Sequence, residues 1–299
     1  MSAPRPAPDV AAPGRKPRDA DIDVWGVTHP GKVRKENQDH FLIASLAKHM
    51  VIHSTSLPEP AELRVEPERL ASLAMVADGV GSGAGGTASR FALAAVAQYV
   101  AQSTQAFYAA EVTGTAAFER VLTDAALQCH ADLVERATQE GKPGRFATTL
   151  TLWLGLWPEA YLLQVGDSRC YLFRDAKLTQ LSRDQTMAQD LVDQGVLSRT
   201  GAFNTRWAHV LSSAIGGQQA APVVTRITRD WGTVVLLCSD GLTKHVSDDR
   251  IAARLGALTS ARQACEDLLQ EALDGGGSDN ITVVVGRTLR PAEARPETP

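Results

Sequence analysis

The chain has 299 residues, of which 44% are hydrophobic, and a formal net charge of −4. This apolar content is enough for a sizeable core in one large domain, and the slightly acidic charge argues against nucleic acid as a partner. The sequence has no run of about 18 apolar residues, so we expect no membrane-spanning helix.

Both ends of the chain are rich in proline. Residues 1–21 carry basic side chains and lack the apolar stretch of a secretory signal, so we expect a disordered tail and a cytoplasmic protein. Residues 289–299 are interpreted as a second tail. The four cysteines are widely spaced and form no C-x-x-C pair, which fits reduced thiols in the core.

Short β-branched or aromatic runs, separated by Gly and Asp, predict strands along the rest of the chain. These runs lie at about 22–28, 39–46, 71–77, 147–155, 160–166, 169–174, 223–229, 232–238 and 281–286. The segment "QVGDSRCYLF" predicts a tight hairpin with Asp167 at its tip. Residues 48–70 form an insertion that the pattern does not place.

Helical periodicity appears between groups of strands. Leu93, Val96 and Val100 recur at helical spacing, and a second stretch places Phe118 and Leu122 on one face. Further amphipathic stretches cover about 185–194 and 260–273. Because helices come in pairs and do not alternate with strands, we predict an α+β fold of antiparallel sheets covered by helices.

The glycine-rich segment "GSGAGG" matches the dinucleotide fingerprint G-x-G-x-x-G between a strand and a helix. A dinucleotide fold needs a second parallel strand after that helix, and here a second helix is predicted instead. We therefore interpret the glycines as a sharp turn beside the functional site. A nucleotide- or small-phosphate-binding enzyme of another fold remains an alternative.

Four aspartates stand at strand ends. Asp78 and Asp240 end apolar runs, whereas Asp39 and Asp279 begin them. In an antiparallel sheet the end of one strand lies beside the start of its neighbour, so these carboxylates can meet at one edge. Each close pair repels by roughly 4 kcal/mol at an effective dielectric near 20. An all-oxygen cluster that needs cations suits Mg²⁺ or Mn²⁺, so the sequence predicts a metal-dependent hydrolase.

Seven segments, in this order, resemble the bacterial branch of the metal-dependent type 2C protein serine/threonine phosphatases. They are "THPGKVRKENQD", "MVADG", "RFATTLTLWLG", "QVGDSRCYLF", the pair "LSRDQTMAQDLVDQG" and "HVLSSAIGG", "VVLLCSDG" and "GGGSDNITVVV". The resemblance covers residues 22–288, which we expect to form one catalytic domain with a flap at about 184–215. It implies an antiparallel β-sandwich flanked on both faces by pairs of helices.

The resemblance also implies a set of metal ligands. Asp78 would bridge two tightly bound Mn²⁺ or Mg²⁺ ions, and Gly79 would offer its backbone carbonyl to one of them. Asp240 and Asp279 would ligate the other ion. Asp39 would bind metal directly or through water.

Two further residues take roles from the resemblance: Arg34 would bind the substrate phosphate, and Asp167 a weaker third ion. The implied reaction is hydrolysis of phosphoserine or phosphothreonine by a water that bridges the two tight ions. The expected partners are phosphorylated proteins, with Hanks-type serine/threonine kinases and their substrates as candidates, and the expected state is a monomer. The alternative is a catalytically weak relative that acts as a regulatory binding module.

The sequence departs from the family pattern at two places. Gln38 stands where many members have Glu, and Gly83 stands where many have a histidine proposed as a general acid. His40, His209 and His245 are near site segments in sequence, but for each a structural role is the stronger interpretation. The flap is either a solvated loop or a contact for the peptide substrate, and the sequence leaves both open.

Overall fold

The structure is a computed structural model that describes residues 15–48, 68–81, 84–109, 115–142, 144–198, 201 and 205–289. The strands are β1 (Ile22–His29), β2 (Asp39–Lys48), β3 (Glu68–Val80), β4 (Ala147–Thr148), β5 (Leu150–Leu156), β6 (Glu159–Val165), β7 (Arg169–Arg174), β8 (Lys177–Gln180), β9 (Val223–Thr228), β10 (Val234–Cys238) and β11 (Ile281–Thr288). The helices are α1 (Gly85–Ala109), α2 (Thr115–Gln139), α3 (Met187–Asp193), α4 (Asp240–Thr243), α5 (Asp248–Gly256) and α6 (Ala261–Asp274). Every strand run predicted from the sequence overlaps one of these strands.

Two antiparallel sheets form the centre of the molecule. The first has the strand order β1-β11-β10-β7-β8, and the second has the order β2-β3-β5-β6-β9, with β4 paired to β3. Val76, Trp153, Leu162, Leu237 and Val284 are buried between the sheets. This is the antiparallel β-sandwich that the sequence and its resemblance predict.

Helices cover the outer face of each sheet. The predicted apolar stripe of α1, with Leu93, Val96 and Val100, packs with Leu122 of α2 over the second sheet. On the first sheet, α5 and α6 bury their apolar faces, among them Leu268. The pairing of helices on both faces confirms the predicted α+β fold class.

The predicted hairpin at "QVGDSRCYLF" is wrong. β6 pairs with β5 and β9, whereas β7 pairs with β10 and β8, so residues 166–168 cross from one sheet to the other. Gly166 makes this crossing possible, because its φ is +104° and a Cβ there would lie 2.6 Å from Thr149 Cγ2. A hydrogen bond of 2.8 Å between Ser168 Oγ and Thr149 Oγ1 holds the crossing in place.

Packed structure begins before the predicted domain boundary at residue 22. A 3₁₀ helix covers Asp19–Asp21, and Asp19 forms an ion pair of 2.6 Å with Arg69 at the start of β3. The backbone N–H of Leu289 donates to the Asp21 carbonyl at 2.8 Å. Residues 15–21 therefore lie against the sandwich, in contrast to the tail predicted over 1–21. Residues 1–14 and 290–299, and most of the insertion predicted at 48–70, lie outside the described residues.

Two expectations from the sequence concern the cysteines and the apolar character of the helices. Cys129, Cys170, Cys238 and Cys265 are all buried free thiols, as expected for core residues. Within the described ranges, no helix has both the length and the apolar character needed to cross a bilayer.

Candidate active site

The predicted aspartates meet at one end of the sandwich, where strands of both sheets begin or end. Asp39, the first residue of β2, stands directly opposite Asp78 of β3 in the antiparallel ladder. Asp240 follows β10 as the first residue of α4, and Asp279 comes just before β11, the antiparallel neighbour of β10. The adjacency predicted from strand ends is therefore found in both sheets.

Asp39 joins the two sheets. Its Oδ2 accepts hydrogen bonds from Ser239 Oγ at 2.6 Å and from Thr282 Oγ1 at 2.9 Å, both on the first sheet. The side chain is only 2% exposed and lies beneath the floor of a cleft. This arrangement fixes the spacing between Asp78 on one sheet and Asp240 and Asp279 on the other.

The cleft at this end has a volume of about 600 Å³. All predicted site residues except Asp39 line it: Arg34, Asp78, Gly79, Asp167, Asp240 and Asp279. Gln38, His209 and Lys244 are also in its walls. The structure thus brings the predicted set together around one space large enough for a phosphorylated side chain.

Burial and mutual repulsion disfavour ionisation of these carboxylates in the absence of cations. Burial raises the pKa of Asp39 to about 6 and that of Asp167, which also faces Asp240 and Asp184, to about 8. Burial together with Asp39 and Asp240 raises the pKa of Asp78 well above its usual value. The site is therefore short of positive charge.

Two cationic side chains, Arg34 and Lys244, partly neutralise the negative charge of the aspartates. Arg34 Nε lies 2.7 Å from Asp279 Oδ1, and Lys244 Nζ lies 2.6 Å from Asp240 Oδ2 and 2.7 Å from Asp279 Oδ2. Burial raises the pKa of Asp279, but the hydrogen bonds from Arg34 and Lys244 outweigh it, so the pKa is lowered. Our sequence reasoning missed Lys244, although its position four residues after Asp240 is the spacing of a helical ion pair.

The donor set fits a divalent metal. Asp39 Oδ1 and Asp240 Oδ1 are buried and have no hydrogen-bond partner among the described residues, and oxygen ligands are what Mg²⁺ and Mn²⁺ prefer. In the arrangement shown, no three Asp, Glu, His or Cys side chains of the described ranges stand together as a complete ligand set. Lys244 instead lies against oxygens of Asp240 and Asp279.

The glycine loop approaches this site closely. A Cβ on Gly79 would lie 2.3 Å from the carbonyl carbon of Gly85, at the start of α1. Any side chain at position 79 would therefore clash with the backbone of the loop. The Gln38 side-chain amide is assigned with its nitrogen toward the loop, because in that orientation it can donate to the Gly79 carbonyl at 3.0 Å and to that of Gly81 at 2.9 Å. This supports the interpretation of "GSGAGG" as a turn beside the site.

Comparison with known proteins agrees with this geometry. The family model described as "Protein phosphatase 2C" matches residues 63–275. The chain belongs to the protein phosphatase 2C family. The serine/threonine protein phosphatase PstP of Mycobacterium tuberculosis is 39% identical over 138 residues, which are 46% of this chain and 27% of that protein. The match to this relative therefore spans well under half of its length.

Solved structures extend the likeness to nearly the whole fold. The structure of the M. tuberculosis serine/threonine phosphatase PstP/Ppp has a TM-score of 0.72 and 28% identity, and covers 90% of this chain and 99% of that one. The catalytic domain of PstP in complex with two manganese ions has a TM-score of 0.66 and 27% identity, with coverage of 90% and 99%. The protein phosphatase 2C fold thus accounts for both sheets and both helix layers.

The departures from the phosphatase 2C pattern can now be placed. His40 Nδ1 lies 2.9 Å from Ser89 Oγ, and burial lowers its pKa. His245 Nε2 accepts from the backbone N–H of Ser278 at 2.9 Å. Both therefore have structural contacts, whereas His209 lines the cleft. Gly83 lies outside the described residues.

The flap of this phosphatase 2C domain is tied to the crossing that carries Asp167. The Gln185 side chain accepts from the backbone N–H of Gly166 at 2.8 Å, and the α3 N-terminus is capped by Thr186. Arg206 stacks over the Trp207 ring at 4.5 Å, so this part of the flap is packed against itself.

Proposed function

We propose that this chain is a metal-dependent phosphatase that hydrolyses phosphoserine and phosphothreonine in proteins. The observation that carries the proposal is the convergence of Asp78, Asp240 and Asp279, drawn from both sheets, on one cleft with Arg34, above the buried Asp39. The family and the manganese-bound relative support the same chemistry. Since the match to PstP covers part of that relative, activity and substrates of this chain are our inference.

The proposed metal-holding residues are those with oxygen atoms directed to the cleft. Asp78 would hold two tight Mn²⁺ or Mg²⁺ ions, with the Gly79 carbonyl on one and Asp240 and Asp279 on the other. Asp39 supports them from below, and Asp167 would hold a weaker third ion. Such ions, when bound, make water a nucleophile at neutral pH and offset charge on the phosphoryl oxygens.

The remaining steps belong to the chain itself. Arg34 already meets one carboxylate, Asp279, with two of its nitrogens: Nη2 donates to Oδ2 at 3.0 Å, and Nε lies 2.7 Å from Oδ1. The same fork can bind two oxygens of a phosphate monoester, because guanidinium geometry matches both anions. With Asp279 engaged as a metal ligand, Arg34 would be free to bind and orient the substrate phosphate. The four cysteines are buried, so none is available as a nucleophile.

We further propose phosphorylated proteins as substrates, and Hanks-type kinases and their targets as the opposing system. The catalytic unit proposed is 22–288 together with the packed segment 15–21, acting as a cytoplasmic monomer.

The decisive experiment is release of inorganic phosphate from a phosphothreonine peptide by metal-stripped protein. We expect no release in EDTA and restored release with Mn²⁺. The matched variants are Asp240→Asn, which should be inactive, and Asp124→Asn, an exposed change on α2 that should keep wild-type turnover. Full turnover in EDTA would overturn the metal-dependent proposal. Peptide binding without turnover in Mn²⁺ would favour the regulatory binding module instead.

A further inference from the structure

A second, smaller pocket lies between the two sheets at the end remote from the aspartates. Its volume is about 90 Å³, and its walls are mainly apolar, including Ile43, Leu73, Trp153 and Val284. It includes Gly286 near the far end of β11, whereas Asp279 precedes the start of that strand. At about 3.3 Å per residue, the two sites are roughly 20 Å apart along the strand.

Three arginines line this pocket, and two of them have anionic partners. Arg69 pairs with Asp19 at 2.6 Å, and Arg287 pairs with Asp23 at 2.9 Å. Arg229, directly after β9, differs: its Nε is buried with no hydrogen-bond partner among the described residues. Burial and the neighbouring Arg69 lower its pKa to about 10. Arg229 is thus a cation whose counter-ion the described chain does not supply.

The position of this guanidinium is fixed by its surroundings. It lies over the ring of Trp157 at 5.6 Å, and Trp157 in turn packs on Trp231 at 5.2 Å. A Cβ on Gly155 would come within 3.0 Å of Arg229 Nη1, so a glycine leaves the space that the group occupies. The indole N–H of Trp157 is also buried without an acceptor in the described chain. Two neighbouring donors therefore lack an acceptor.

Leaving the buried Nε of a cation without an acceptor is unfavourable, and an anion at Arg229 would relieve it. The pocket beside it is apolar, so the fitting ligand has an apolar part and one negative charge. Its volume is below the roughly 150 Å³ of a cavity that holds benzene, which limits the apolar part to a short chain. We propose that this pocket binds a small aliphatic carboxylate, with its chain between the sheets and its carboxylate on Arg229.

The test is calorimetric titration of the full chain with butanoate, 1-butanol and acetate. Butanoate should bind at least about tenfold more tightly than the other two, because butanol lacks the charge and acetate lacks the chain. Equal binding of butanoate and butanol, or no binding of butanoate, would overturn the proposal. This comparison needs no variant and so does not depend on the folding of any mutant.

Variants then locate the site. Arg229→Met should weaken butanoate binding by about tenfold or more and leave the protein folded by circular dichroism, since it removes an unpaired charge. The matched control is Arg226→Met on the preceding strand β9, an exposed arginine that pairs with Glu159, which should bind as the wild type does. Unchanged affinity in folded Arg229→Met would contradict the proposed site. Phosphatase activity plays no part in either readout.

Discussion

The two ends of the sandwich have opposite chemistry, although the same strands connect them. At the cleft end, Asp39 Oδ1 and Asp240 Oδ1 are buried acceptors without donors; at the far end, Arg229 Nε and Trp157 Nε1 are buried donors without acceptors. Apart from Thr104 on α1, these are the unsatisfied buried side-chain atoms in the described ranges. Since native interiors pair their polar atoms, each end is incomplete without a ligand of opposite charge.

The cleft end differs from the far end in having its own provisional counter-ions. Lys244 and Arg34 occupy Asp240 and Asp279, whereas no carboxylate of the described chain approaches Arg229. The two cations hold the carboxylate cluster together in the metal-free protein, and in the proposed metal-bound state they would have to leave the oxygens that the ions take.

Asp78→Asn should abolish catalysis in the cleft. We expect kcat on an aryl phosphate with Mn²⁺ to fall about 1,000-fold or more, equivalent to about 4 kcal/mol of barrier, because this carboxylate would serve two ions. The apo variant should remain folded, since losing one charge reduces repulsion with Asp39 and Asp240. The control is Asp124→Asn. Native circular dichroism with activity within about tenfold of wild type would make Asp78 a structural residue.

Arg34→Ala should affect phosphate recognition more than metal binding. The loss of a charge-assisted bidentate contact costs about 2–3 kcal/mol, or roughly 30- to 150-fold in kcat/KM. Manganese affinity by calorimetry should change much less. Arg262→Ala, which breaks an exposed helical ion pair with Glu266, provides the control. An unchanged kcat/KM would mean that Arg34 only pairs with Asp279 in the metal-free protein and does not bind the phosphate.

Lys244→Gln tests whether the ammonium competes with metal. We expect one Mn²⁺ ion to bind about tenfold more tightly, or about 1.4 kcal/mol, because no cation then needs to leave Asp240 and Asp279. The melting temperature in EDTA should fall, because Asp240 and Asp279 then lack the ammonium that pairs with both of them. Lys177→Gln on the edge strand β8 is the exposed control. Equal metal affinity in both variants would show that Lys244 and the metal ions do not compete.

The apo protein should lose stability as pH rises. The pKa values of Asp39 (about 6) and Asp167 (about 8) are raised in the folded state, so the folded chain keeps protons that the unfolded chain has released. The contribution of these two carboxyl groups to stability is then greatest below the unfolded pKa, near 3.9, and is lost as pH rises through these folded values. In EDTA, the melting temperature should fall between about pH 5 and pH 8.

Asp167→Asn separates the two contributions to this pH dependence. It should remove the upper part of the fall, above about pH 6, and leave the lower part that comes from Asp39. Saturating Mn²⁺ should suppress the fall in the wild type. A melting temperature in EDTA that rises or stays level over this window would contradict the raised pKa values.

Much of the cleft end could be predicted from the sequence because its cues are local. Strand ends place Asp39 beside Asp78, and helical periodicity places Leu93, Val96 and Val100 in the core. The crossing at Gly166 could not be predicted in this way. A Gly-Asp-Ser turn is compatible with a hairpin or a change of sheet, and only long-range pairing of β6 and β7 decides between them.

The far end has no sequence signature at all. Its pocket is built from residues distant in the chain, such as Ile43, Trp153 and Val284, and no local pattern shows that Arg229 lacks a partner. Short elements were also missed, among them β8 and α5. The sequence "KLTQ" is a short polar edge strand, and α5 buries only Ile251 and Leu255. Both are shorter than the window of about 11–18 residues over which periodicity is read.

The most direct test of the account is an anomalous difference map, at the manganese absorption edge, from crystals of this protein grown with Mn²⁺. We predict two strong peaks in the cleft, shared by Asp78, the Gly79 carbonyl, Asp240 and Asp279, with the Lys244 ammonium displaced from the two carboxylates. A cleft without peaks, in which Lys244 still bridges Asp240 and Asp279, would contradict the claim that this end of the sandwich is a metal-dependent phosphatase site.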